Sequence, residues 1–206
     1  SVSVKDMASL ENLRADNSEI SDLSVLKYAT NLTTLSLQNN QISNLAPLAG
    51  LSKLAWLNLM ENKIAEPTSL EGLAELKNLH ELHLAHNRIT DISPLAGLNN
   101  LFRLSLNDNQ ITDVTPLAKL DNLLELHLAR NKITDLAPLA KLIKLEYLTL
   151  YSNQITDLMP LTGLINLDRL GLQTNKISDV TPLMRLTNIK TLWISDNPIP
   201  DEQKAM

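Results

Sequence analysis

The sequence predicts an α/β solenoid: right-handed coils, each giving one short strand to a parallel β-sheet on the concave side and a 3₁₀ or loop return on the convex side. Three observations carry this reading. Apolar residues recur in one frame every 22 residues, an asparagine returns at a fixed place in that frame, and a Pro-Leu pair follows it in most units. A unit this small cannot bury its apolar side alone, so self-similarity at this period means stacked coils sharing a continuous core.

The frame opens at Leu10, Leu32, Leu54, Leu79, Leu101, Leu123, Leu145, Leu167 and Ile189, in steps of 22 except for 25 between Leu54 and Leu79. The unit reads L-x-x-L-x-L-x-x-N-x-I-[ST]-[DN]-x-x-P-L. Its L-x-L step of two places both leucines on the inner side of a strand and the residues between them outside. The ninth position holds Asn40, Asn62, Asn87, Asn109, Asn131, Asn153, Asn175 and Asn197. An amide both donates and accepts, so these side chains can satisfy backbone groups at the bend after each strand and stack as a structural ladder. Ser18 takes that place in the first frame, which marks a terminal unit. The Thr-Asp or Ser-Asp pairs that follow (Thr90-Asp91, Thr134-Asp135, Ser178-Asp179) suit the cap of a short helical turn. The Pro two residues beyond the next apolar position suits an early helical site. So short a return favours 3₁₀ turns over full α-helices. The three extra residues of the long unit fall in AEPTS after Ile64, and a bulge on the convex side that leaves the sheet register intact is expected.

Length and composition set the outer limits. A chain of 206 residues makes one domain, 1–206. Leucine supplies 45 residues and aromatics only 3%, so the apolar mass is aliphatic. Apolar runs are too short to span a bilayer, so no membrane insertion is expected. The net charge of −5 argues against a nucleic-acid partner, which needs a positive field. With no cysteine there are no disulfides, thiolate metal sites or cysteine nucleophile, and the compartment is left open. No nucleophile elbow, phosphate loop, zinc-protease motif or EF-hand loop occurs, so neither an enzyme nor a cofactor is expected.

The repeat is the leucine-rich repeat. Its variant with Ile-Thr-Asp-x-x-Pro-Leu, as in ITDISPLAGL and ITDVTPLAKL, resembles the internalin-type repeats of bacterial surface and secreted proteins. The resemblance covers about residues 1–199. It implies a horseshoe whose concave face recognises a protein ligand, and a secreted or cell-surface location. Residues 1–9 are similar to the end of the cap that precedes such arrays, 10–199 make about nine repeats, and 200–206 resemble the opening of a C-terminal cap helix. With both caps incomplete, a monomer or weak end-to-end association is expected. The alternative is a structural scaffold or a designed, consensus-derived array without a natural ligand, because ELHLAHNRITD and ELHLARNKITD are so alike.

Outward positions of the strands carry the candidate ligand contacts. The column before the second core leucine runs Asn12, Thr34, Trp56, Glu81, Arg103, Glu125, Tyr147, Arg169, Thr191. Glu81, Arg103 and Glu125 alternate in sign and can neutralise one another on adjacent strands. Of six aromatics, Trp56, Tyr147, Tyr151 and Trp193 point outward, where core packing does not call for them; Tyr28 and Phe102 do not. Rigid aromatic area is typical of binding hot spots. Tyr147, Tyr151 and Trp193, bordered by Arg169 and Arg130 around a depression at Gly171, form the leading ligand-binding patch. Trp56 with Met60 forms a second. His80, His83, His86 and His127 read first as a solvated polar face. Strands about 4.8 Å apart put His83 and His127 roughly 10 Å apart at Cα, too far for an obvious shared metal. The other reading is a metal site, with His83 and His86 converging if the strand bends, or a pH-sensing role. The sequon at Asn31 reads as incidental.

Overall fold

The computed structural model of the protein describes residues 4–65 and 67–204. Residues 1–3, Glu66 and 205–206, parts of both expected cap segments and of the insertion, lie outside the described residues. Among the described residues, nine three-residue strands form a single parallel sheet in chain order. They are β1 (Asn12–Arg14), β2 (Thr34–Ser36), β3 (Trp56–Asn58), β4 (Glu81–His83), β5 (Arg103–Ser105), β6 (Glu125–His127), β7 (Tyr147–Thr149), β8 (Arg169–Gly171) and β9 (Thr191–Trp193). Register steps by one coil throughout, as in Leu104↔Leu126 and Leu148↔Leu170. Every inner leucine of the middle coils is excluded from solvent, among them Leu104, Leu106, Leu126 and Leu128. Parallel strands need a crossover, and here each crossover is the convex return, a 3₁₀ turn such as Thr115–Leu117 or Ala137–Leu139.

The ladder asparagines tie each coil to the one before it. Asn131 Oδ1 accepts the Ile111 N–H at 3.0 Å, while Nδ2 donates to the carbonyls of Leu106 and Leu128 at 3.0 and 3.1 Å. One amide thus satisfies three buried backbone groups that have no place in the sheet. The residue before each ladder asparagine adopts a left-handed backbone, from Asn39 (φ 52°) to Asp196 (φ 58°). That turn is what aims the amide inward.

A second asparagine column, which the frame hides among variable positions, sits just before the first leucine of a unit. Asn100 Nδ2 donates to the Lys77 carbonyl at 2.8 Å and Asn122 to the Asn99 carbonyl at 2.9 Å, with Asn31, Asn78, Asn166 and Asn188 bonded likewise. Where lysine interrupts the column, its ammonium reaches the preceding asparagine: Lys53 to Asn31 and Lys144 to Asn122. Asn31, the sequon residue, is therefore part of the scaffold.

Capping of the 3₁₀ turns lies one residue earlier than a helix N-cap. Asp113 Oδ1 accepts the Thr115 N–H at 2.8 Å across the intervening Val114, and Asp91, Asp135, Asp157 and Asp179 repeat this Asx turn. The long unit resolves its extra residues as one turn of α-helix, α2 (Pro67–Leu70), on the convex side. The register from Trp56 to Glu81 is unbroken. Leu45 N–H donates to the Ser69 carbonyl at 3.2 Å, so α2 is drawn onto the preceding coil. Gly72, standing where most coils have proline, permits the approach: a Cβ there would lie 1.9 Å from the Leu45 carbonyl oxygen.

The ends differ. At the N-terminus α1 (Val4–Ala8) precedes β1, and Met7, Leu10 and Leu13 pack partly buried against the core. At the C-terminus α3 (Asp201–Lys204) is held by Gln203, whose Oε1 accepts the Val180 N–H. Leu192 there remains 40% exposed, beside a hollow of about 440 Å³ lined by Val180, Leu183, Met184 and Ile194.

Candidate binding face

Three outward columns line the concave face. The middle one is tightly enclosed: Ser36, Asn58, Ser105 and Thr149 are each less than a tenth exposed. Parallel strands only one coil apart shield the short side chains between them, so only long side chains emerge from this column.

At the centre, Arg103 joins the two neighbouring strands. Its Nε lies 2.8 Å from Glu125 Oε2 and its Nη2 donates to Glu125 Oε1 at 2.9 Å, while Nη1 reaches Glu81 Oε2 at 3.4 Å. The alternating signs thus offset one another: Glu125 takes one hydrogen bond, from Nη2, and a close ionic contact from Nε, which makes no hydrogen bond of its own. The same carboxylates hold the Arg103 guanidinium even more firmly in its charged form.

His83 and His127 flank this group symmetrically. His83 Nε2 lies 3.6 Å from Glu81 and His127 Nε2 3.8 Å from Glu125. Their side chains are only 18% and 19% exposed, so the expectation of a solvated histidine face is corrected for these two. The His83 ring sits 5.5 Å from Trp56, and the His127 ring meets Tyr147 edge-on at 4.9 Å. Those aromatic walls, with the neighbouring strands, exclude water. Burial pushes both imidazoles below the ordinary histidine range, more than the adjacent carboxylates raise them. His86 behaves otherwise: its backbone is left-handed and its ring, half exposed, faces Asp108 at 3.7 Å. His80 lies against Phe102. Among the described residues no three histidine, aspartate or glutamate side chains gather as a metal site.

Towards the C-terminus, Tyr147 and Tyr151 are half-buried on the concave face and Trp193 is 40% exposed on the last strand. Arg169 Cζ stands 5.1 Å from the centre of the Tyr147 ring and Arg130 Cζ 6.0 Å from that of Tyr151. Arg169 also meets Asp168 at 3.3 Å, and Arg130 meets Asp108 at 3.6 Å. The depression expected at Gly171 is filled. Gln173 folds over the glycine, its Oε1 only 3.3 Å from where a Cβ would be. That oxygen is buried without a hydrogen-bond partner. In the other patch Trp56 leans on His83, and the Met60 N–H is taken by Asn58 Oδ1.

A family model described as Leucine Rich repeats (2 copies) matches residues 52–97, 77–119, 99–141 and 121–166, and one described as Leucine Rich repeat matches 28–45. The structure of an internalin C2 from Listeria monocytogenes is 39% identical over 94% of this chain and 84% of that one, with a TM-score of 0.90. The chain is an internalin-like leucine-rich-repeat protein. An internalin F of the same bacterium is 34% identical, covering 97% of this chain and 65% of that one, with a TM-score of 0.79. A leucine-rich-repeat protein of Leptospira interrogans is 32% identical over 98% of this chain and 53% of that one, with a TM-score of 0.89. None of the curated proteins matches the sequence. Leucine-rich-repeat proteins of this kind are protein-interaction modules. No helix among the described residues of this internalin-like chain is long and apolar enough to cross a membrane.

Proposed function

We propose that the protein is a non-enzymatic binding module of a secreted or surface-exposed bacterial protein, and that it takes its protein ligand on the concave face. The leading contact patch is Tyr147, Tyr151 and Trp193 with Arg169 and Arg130; Trp56 and Met60 form the smaller one. One observation carries this most. Both arginines lie beside tyrosine rings on a face whose leucines are already buried, so the aromatics owe nothing to the core. Flat rings with flanking donors make a surface that gains from losing water. The similarity to internalins of Listeria supports the surface location.

The test is a screen of purified receptor ectodomains against the wild type and a Tyr147→Ala/Tyr151→Ala/Trp193→Ala variant. Binders of the wild type should lose well over tenfold in affinity, since one hot-spot side chain is worth about 2 kcal/mol or more. A wide screen that yields no binder losing affinity in the variant favours the scaffold reading instead.

A further inference from the structure

The central cluster of the concave face is chemically distinct from the aromatic patch. His83 and His127 occupy the same outward column two coils apart, on β4 and β6, and each shares its strand with a glutamate. Arg103 on β5 sits between the two glutamates. The neighbouring strands add only uncharged walls: Trp56 and Asn58 on β3, Tyr147 and Thr149 on β7, Ser105 on β5. With neutral imidazoles the group carries two carboxylates against one guanidinium, a net single negative charge. Two added protons reverse it to a net single positive charge.

We infer that His83 and His127 form a proton-responsive pair that switches the middle of the concave face from acidic to basic, so that it favours a cationic partner segment at neutral pH and repels it in acid. At neutral pH His83 Nε2 is buried without a hydrogen-bond partner. Protonation turns it into a cation 3.6 Å from Glu81, in competition with Arg103 Nη1 at 3.4 Å for the same oxygen. On the other side a protonated His127 donates from Nδ1 to Thr149 Oγ1, now 3.3 Å away, and faces Glu125 with Nε2. Both histidines therefore draw on the carboxylates that hold Arg103, and the guanidinium is released towards the groove. The two sites are also linked, because a charge on His83 opposes one on His127 across β5. The partner preference rests on the concave-face reading above, but the switch itself does not.

Trp56 reports on it. A protonated imidazole 5.5 Å from the indole quenches its emission, and Trp193→Phe leaves Trp56 as the one tryptophan. Emission should fall on acidification with a midpoint below 6.5, the ordinary histidine value. The step should vanish in His83→Gln and move up by a few tenths of a pH unit in His127→Gln. Histidine ring-proton shifts of the wild type, followed by NMR, give the same midpoints without substitution. A labelled hexalysine peptide should bind the wild type more tightly at pH 7.5 than at pH 5, and the double His→Gln variant should lose that difference. A midpoint at or above 6.5, an unchanged midpoint in His127→Gln, or a pH dependence of the peptide that survives in the double variant would overturn the proposal. If the aromatic patch proves not to bind protein, the Trp56 titration is unaffected, so the two failures are separable.

Discussion

Single side chains decide how each coil is held. Asn109 and Asn131 are less than a tenth exposed, and replacing either with alanine leaves three backbone groups without partners, which should cost about 1–3 kcal/mol. Asn197 makes the same bonds, to Ile177 N–H and the Leu172 and Ile194 carbonyls, but its surroundings are more open. Asn197→Ala should therefore lower the melting temperature less, and equal shifts for the three would contradict this. Thr174 is the one β-branched residue in the left-handed position before a ladder asparagine, at φ 55°. Asparagine tolerates that conformation far better, as Asn39 shows, so Thr174→Asn should stabilise by roughly 0.5–1 kcal/mol in urea unfolding. The titrating side chains give a pH dependence whose sign is fixed. His83 and His127 have folded pKa values below the unfolded one, so the unfolded chain binds more protons and stability declines as pH falls below 6.5. Asp113 and Asp179 are depressed by their Thr115 and Thr181 hydrogen bonds, and their contribution, present above the ordinary 3.8, is lost only in stronger acid. Denaturation midpoints between pH 8 and pH 3 should fall in those two successive windows.

At the scale of the element, the convex turns and the insertion show what the sequence exposed and what it hid. Strands, ladder and 3₁₀ returns were legible because each rests on a repeated residue in a repeated place. The second asparagine column was not, because lysine interrupts it at Lys53 and Lys144 and only the structure shows those ammoniums continuing the chain of bonds. The enclosure of His83 and His127 was hidden too: alternation along a strand says which side a residue faces, not how closely neighbouring coils shield it. The filled depression at Gly171 has the same origin, since Gln173 is two residues away and its side-chain direction is set by packing. Two substitutions test the elements. Asn44 caps its turn through the Ala46 N–H, as the aspartates do elsewhere, so Asp113→Asn should be nearly neutral while Asp113→Ala lowers the melting temperature. Gly72→Ala forces a Cβ into the Leu45 carbonyl. It should destabilise by about 1–3 kcal/mol, with faster amide exchange centred on the second and third coils.

Over the whole molecule, stability is nearly one-dimensional, and the proposed function lies along one face. Each coil leans on its neighbours, so the ends should open first. The last coil, with Leu192 40% exposed, should exchange amide hydrogens fastest, the first coil under α1 next, and the middle coils slowest. Uniform protection in a monomer would contradict that order. The concave face divides into a charged centre around Arg103 and an aromatic C-terminal half, and it is on the aromatic half that we propose a protein ligand binds. Hydrogen exchange on a complex with a partner drawn from the ectodomain screen tests this most directly. The account predicts new protection at residues 147–151, 169–173 and 191–195, with the 3₁₀ turns of the same coils unchanged. Protection confined to the convex turns, with the three strands exchanging as in the free protein, would contradict it.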